Sequence, residues 1–173
     1  MPSITPQSHP TPDAIHATTE IKEGPINVLI VEDLPVNQLL LKKALESLGM
    51  LPSTASNGQE ALDKVKQQSF HIILMDCQMP VMDGFEATRQ IRHLEAEGNL
   101  SSQHIPTISS PGFRHIPSAK ESPNTQRQKG SGLFIAAGMD SYIAKPYQIS
   151  RLEQIILSHI KFTEEKEANE TSP

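Results

Sequence analysis

One cysteine, Cys77, stands in 173 residues, so no internal disulfide framework can staple this chain. Cysteine usage this sparse suits a reducing cytosol or a nucleus. With no second thiol to resolve an oxidised form, Cys77 reads as a small core residue rather than a redox centre. Long apolar runs are also missing. The amino-terminal MPSITPQSHPTPDAIHATTEIKEGP holds proline, serine, threonine and histidine but nothing that would serve as a signal peptide or a membrane helix, and no membrane insertion is expected. A net charge of -5 and a pI near 5.8 give no global reason to expect direct nucleic-acid binding or an anionic membrane as partner. The seven histidines are scattered without metal-ligand spacing, and none sits in a pattern like that of a kinase dimerisation helix or a phosphotransfer domain. Packing or solvent exposure is expected of them.

The length allows one ordinary domain with flanking tails. Residues 1–25 read as a disordered leader or linker, 26–162 as the folded domain and 163–173 as a polar tail. No helix-turn-helix or catalytic output domain fits in what remains.

Inside those limits strand and helix alternate. Asn27 to Val31 is a branched apolar run stopped by Glu32-Asp33, and Val36, Leu40, Ala44 and Leu48 then recur at helical spacing until Gly49. Met50 to Ala55 is a weaker strand, and Ala61, Leu62 and Val65 mark a second helix after the turn signal Asn57-Gly58. His71 to Asp76 is a third strand, followed from Gly84 by a helix in which Phe85, Thr88, Ile91 and Leu94 share a face. Ile105 to Ile108 and Ser141 to Ala144 make the fourth and fifth strands, and Ile149, Leu152, Ile155, Ile156 and Ile160 the last helix. Five such units in this order imply an α/β fold with right-handed crossovers and a parallel sheet covered on both faces.

The run HIILMDCQMPVMDG, His71 to Gly84, carries the most information about function. Its apolar strand ends abruptly in Asp76, and Pro80 with Asp83-Gly84 forces a turn before the next helix. A carboxylate is thereby presented at the carboxyl end of a parallel sheet, where open α/β folds carry their chemistry. If the first and third strands are neighbours, Glu32 and Asp33 converge on Asp76, and such like charges need protons or a cation. Oxygen-only ligands in a partly open site suit Mg²⁺, which keeps waters that a phosphate oxygen can replace. Lys145 follows the fifth strand, and Pro146 after it favours a tight turn, open to a cis peptide, that brings the ammonium to the same crevice.

Together and in this order, these residues resemble the receiver domain of response regulators in two-component signalling, closest in style to receivers of hybrid histidine kinases and phosphorelays. The matching text is VLIVEDLPVNQ, ASNGQEAL, ILMDCQMPVMDGFEATRQIR and AAGMDSYIAKP, and it extends over most of Ile26 to Lys161. The resemblance implies a flavodoxin-like five-stranded sheet of order 2-1-3-4-5 with helices on both faces. It implies that Asp76 accepts a phosphoryl group. Mg²⁺ would be held by Glu32, Asp33, Asp76 and the backbone carbonyl of Gln78, and Lys145 would contact the phosphoryl group. Tyr142 falls where the family places an aromatic switch. The implied donor is a histidine kinase or a histidine phosphotransfer protein, the downstream protein is not named, and the chain is either a stand-alone receiver or a piece of a hybrid kinase.

The family normally ends its fourth strand with a threonine or serine that bonds the phosphoryl group. Ungapped alignment puts Pro111 there, leaving Ser110 or Ser109 as replacements. From Ser110 to Lys145 the chain also runs roughly a dozen residues beyond the usual spacing, an insert at about 111–132 rich in serine, proline, glycine and lysine. These departures motivate an alternative, a degenerate receiver acting as a phosphorylation-independent interaction module. An aspartate-nucleophile phosphatase is disfavoured, since its general-acid aspartate would stand at Gln78. No enzyme activity on an external substrate is expected.

Overall fold

The computed structural model describes residues 24–101, 104–110 and 132–170, with side chains only as far as residue 160. Its strands are β1 (Asn27–Val31), β2 (Leu51–Ala55), β3 (Ile72–Asp76), β4 (Thr107–Ser110) and β5 (Ser141–Tyr142). They form one parallel sheet in the order β2-β1-β3-β4-β5, as expected. The helices are α1 (Pro35–Ser47), α2 (Gly58–Gln67), α3 (Gly84–Ala96), a short α4 over 132–136, and α5 (Ile149–Glu170). Among the described residues no helix is long and apolar enough to cross a membrane.

The continuous apolar character of the central strands follows from burial on both faces. Alternate residues of β1 and β3 go to opposite sides: Val28, Ile30, Ile72 and Leu74 meet Leu41 and Leu45 of α1 and Leu152, Ile155 and Ile156 of α5. Leu29, Val31, Ile73 and Met75 meet Ala61, Leu62 and Val65 of α2 and Ala87 and Ile91 of α3. All five residues of β3 are buried. Its isoleucine and leucine side chains each contribute roughly 1.5–3 kcal/mol relative to exposure, which anchors the strand whose last residue is Asp76. Cys77 lies in the second of these cores, as expected of it.

Helix starts are set locally. Asn57 and Asp83 cap α2 and α3 by accepting from Glu60 N at 3.0 Å and Glu86 N at 2.8 Å. Pro35 opens α1, where its missing N–H costs nothing.

Several expectations need correction. Val36 and Leu40 are exposed, and the face α1 buries is Leu41 and Leu45. Three consecutive leucines at 39–41 make two stripes compatible with the helical period, and contact with β1 and α5 decides between them. Strand β4 begins two residues later than expected and runs to Ser110, while β5 stops at Tyr142. Ile149 of the last helix is exposed. Helix α5 continues to Glu170 through residues read as a polar tail, because a charged segment without proline or glycine prolongs a helix already nucleated on the core. Pro111 and nearly all of the insert lie outside the described residues.

Candidate functional site

The carboxylates meet because β1 and β3 are neighbours in register, with Val31 opposite Met75. Glu32 and Asp33 leave the end of β1 beside Asp76 at the end of β3, and each offers an oxygen within 4.8 Å of the others. Glu32 and Asp76 are buried, and Asp33 is partly open. Lys145, after β5, lies across the same end of the sheet, where its Nζ donates to Glu32 Oε2 at 2.6 Å and to Asp76 Oδ2 at 2.7 Å. The Lys145–Pro146 peptide is cis. Asp76 Oδ1 accepts from the Gln78 amide at 3.1 Å, and Glu32 Oε1 accepts from Asn37 Nδ2 at 3.0 Å.

Burial pushes the Asp76 carboxyl above its usual range, and neighbouring Glu32 adds to the rise. Lys145 and the Gln78 N–H oppose it without reversing it. Burial alone would lower Lys145, but its bonds to Asp76 and Glu32 hold the ammonium above its ordinary value. The Cys77 thiol is pushed up to about 12, first by burial and then by Asp76, so it is not a thiolate at neutral pH.

Among the described residues, three carboxylates facing a single ammonium leave the crevice under-compensated. The donors are all oxygens and hence hard, and a shallow depression of about 440 Å³ beside them, bordered by Asp33, Gln78, Pro80, Asp83 and Phe85, leaves the site open on one side. That combination fits a Mg²⁺-class ion that retains part of its water.

The loop that forms this depression is tightly built. A Cβ on Gly84 would drive into the Asp76 carbonyl oxygen, so only glycine lets α3 start this close to β3. Val81 takes a φ of 69° inside a three-residue turn closed by Met82 N to Pro80 O at 2.8 Å, a strained conformation for a β-branched residue.

Ser110 pairs in register with Asp76 and is buried, so a hydroxyl-bearing residue does end β4 beside the acceptor. Ser109 donates to the Ser141 carbonyl at 3.1 Å, which commits its hydroxyl to β5. Tyr142 is half exposed, and its ring stacks on Phe134 of α4 at 6.3 Å; Phe134 in turn stacks on Phe85 at 5.5 Å. Burial raises Tyr147 to about 12, offset in part by Ser110. Its buried hydroxyl nevertheless lacks the geometry of a hydrogen bond to any described group.

Sequence reasoning missed Asn37 and Phe134, whose parts depend on contacts made only after folding. It also missed a cluster at the opposite end of the sheet. There Arg92 donates to Glu95, Asp140, Thr107 and two backbone carbonyls, and His104 lies between Asp140 and Glu95. No local pattern marks it, since Arg92 and Asp140 are 48 residues apart.

The fold has known counterparts. A family model described as the response regulator receiver domain matches residues 28–108. Over 158 residues the chain is 51% identical to the response regulator sskA of Aspergillus fumigatus, and over 153 residues it is 36% identical to the oxidative stress response two-component system protein SSK1 of Candida albicans. Those alignments take in 75% and 80% of this chain but only 19% and 22% of the two relatives' lengths. Among solved structures, the receiver domain of the Saccharomyces cerevisiae response regulator Ssk1, crystallised with the histidine phosphotransfer signaling protein Ypd1, is 31% identical with a TM-score of 0.63, covering 76% of this chain and 86% of that one. The receiver domain of the sensor histidine kinase PA1611 from Pseudomonas aeruginosa, solved with a magnesium ion in its active site cleft, is 29% identical with a TM-score of 0.62 and covers 80% and 99%.

Proposed function

This chain belongs to the response-regulator receiver family, and on that footing we propose that Asp76 accepts a phosphoryl group from a phosphohistidine donor in a Mg²⁺-assisted step. The observation that carries the reading is the convergence of Glu32, Asp33, Asp76 and Lys145 at the carboxyl end of the sheet. An oxygen of Asp76 attacks phosphorus as the P–N bond of the donor breaks, giving an acyl phosphate; the leaving ring nitrogen keeps the bonding pair and takes up a proton, which leaves a neutral imidazole. Bound Mg²⁺ would neutralise charge on the transferring phosphoryl oxygens. Glu32 and Asp33 would hold the ion together with Asp76 and the Gln78 carbonyl. Lys145 releases Asp76 and pairs with a phosphoryl oxygen, and Ser110 offers a hydroxyl to another. Tyr142 changes its exposure as the domain switches. The chain catalyses only its own modification and slow release.

The donor is a histidine phosphotransfer protein or a histidine kinase. A groove of about 630 Å³ between α1 and α5, reaching Lys145 and Tyr147, suits it, because exposed Leu34, Val36, Leu39, Leu40 and Ile149 offer an apolar landing beside the acceptor. A degenerate, phosphorylation-independent module, motivated by a missing hydroxyl and by the insert in the fourth-helix region, is not supported: Ser110 stands opposite Asp76, and the chain matches two-component response regulators over three quarters or more of its length.

Incubation with a small phosphodonor and Mg²⁺, followed by intact mass, should show one added phosphoryl group that is absent in Asp76→Ala. An adduct retained in Asp76→Ala, or none with several donors, overturns the proposal.

A further inference from the structure

Glu32 is a longer grip for a cation than an aspartate would be. It has one methylene more than aspartate and therefore one more torsion to fix. One of its oxygens is bonded to Lys145, which Asp76 shares. The other accepts from Asn37 Nδ2 at 3.0 Å and from Leu34 N at a long 3.4 Å. Asn37 sits in the first turn of α1, a helix whose N-cap residue, Leu34, makes no side-chain cap. Its amide is turned back to the carboxylate. The next residue secures the backbone beneath, since Gln38 Nε2 donates to the Glu32 carbonyl at 2.6 Å. One helical turn thus holds both the main chain and the side chain of Glu32, and Pro35 presets its conformation.

We propose that Asn37 is a positioning residue for the divalent cation, fixing the Glu32 carboxylate so that its free electron pairs face the crevice while Lys145 is being displaced. Asn37 touches neither the ion nor the phosphoryl group and acts only through Glu32. The inference rests on the reading of the crevice as a Mg²⁺ site. Outer partners of this kind characteristically alter metal affinity by 10–100-fold when removed.

The test is calorimetric titration of the full chain with Mg²⁺ in wild type, Asn37→Ala, Asn37→Ser, Glu32→Asp and the Glu32→Asp/Asn37→Ala double variant. Thermal unfolding in EDTA is followed in parallel. Asn37→Ala should raise the Mg²⁺ dissociation constant about tenfold. In the Glu32→Asp background the carboxylate no longer reaches the amide, so the same change should alter affinity by less than about twofold. A merely structural role in α1 would lower the unfolding temperature and weaken Mg²⁺ equally in both backgrounds. That outcome, or an unchanged dissociation constant in both Asn37→Ala and Asn37→Ser, overturns the inference and leaves the Mg²⁺ reading standing. A wild type that takes up no Mg²⁺ overturns both.

Discussion

Replacing Lys145 by methionine keeps the bulk of the side chain and deletes the charge between Glu32 and Asp76. The Lys145 side chain is 15% exposed and those of its two partners 1% and 6%, at 2.6 and 2.7 Å. Removing one partner from a pair this well shielded costs about 3–5 kcal/mol, most of it the penalty of leaving buried charge unpaired. The loss has a ceiling, because Asp76 can take up a proton instead. Starting from its ordinary value of 3.8, protonation costs about 4 kcal/mol at pH 7 and under about 2 kcal/mol at pH 5. In the variant the folded state then binds a proton that the unfolded state lacks, so its stability rises as pH falls from 7 towards 4. Urea unfolding in EDTA at pH 5, 6 and 7 should give a gap between wild type and Lys145→Met that narrows by roughly 1.4 kcal/mol per pH unit. Adding Mg²⁺ at pH 7 should close more of the gap than it adds to wild type, since the crevice has lost its resident cation. An equal gap at pH 5 and pH 7, or none at pH 7, refutes the view that Lys145 carries the charge balance of the site.

Asp140 and then Glu95 push His104 up to about 9 against burial and Arg92. Its folded value exceeds its unfolded one, so the stabilisation is full below about pH 6.5 and is lost as pH rises through 9. The bare shift is worth about 3 kcal/mol, but the ring is 46% exposed, and screening leaves about 1 kcal/mol. Urea midpoints should fall between pH 6.5 and 9.5 in wild type and stay flatter in His104→Gln. Val81→Gly should stabilise by about 0.5–1 kcal/mol, the relief of positive φ less the added chain entropy, read by the same unfolding curves. Tyr147→Phe deletes a buried hydroxyl that has no hydrogen bond among the described residues and should be neutral or stabilising by up to about 1 kcal/mol. That variant also leaves Tyr142 as the chain's only tyrosine in a protein without tryptophan. Loading Asp76 should then change acrylamide quenching of its fluorescence, and Phe134→Leu should raise quenching in the unloaded protein.

What could be read beforehand was whatever local chemistry decides. The limits of β1, the turn at Asn57-Gly58, the turn into α3 and the acidic residues at strand ends follow from neighbours a few places away. The meeting of Lys145 with Glu32, 113 residues apart, was legible only through the alternation of strands and helices that fixes the sheet order. The buried face of α1 was not, because Leu39, Leu40 and Leu41 satisfy two stripes and only packing separates them. Nor was the choice between Ser109 and Ser110, which turns on a register set by β3 rather than by β4 itself. The Arg92 and His104 cluster depends on charges whose separation along the chain carries no period.

The leucine-rich rim of α1 bears on the kinetics of encounter. Its contacts are short-ranged and indifferent to salt, whereas the carboxylates beside it project a negative field over about a Debye length. A phosphorylated donor brings negative charge of its own, so before Mg²⁺ fills the crevice the two are repelled until the apolar surfaces touch. Added salt weakens that repulsion and leaves the rim unaffected. In EDTA, association with such a donor should therefore quicken as ionic strength rises, opposite to partners drawn together by complementary charge, and bound Mg²⁺ should flatten that dependence.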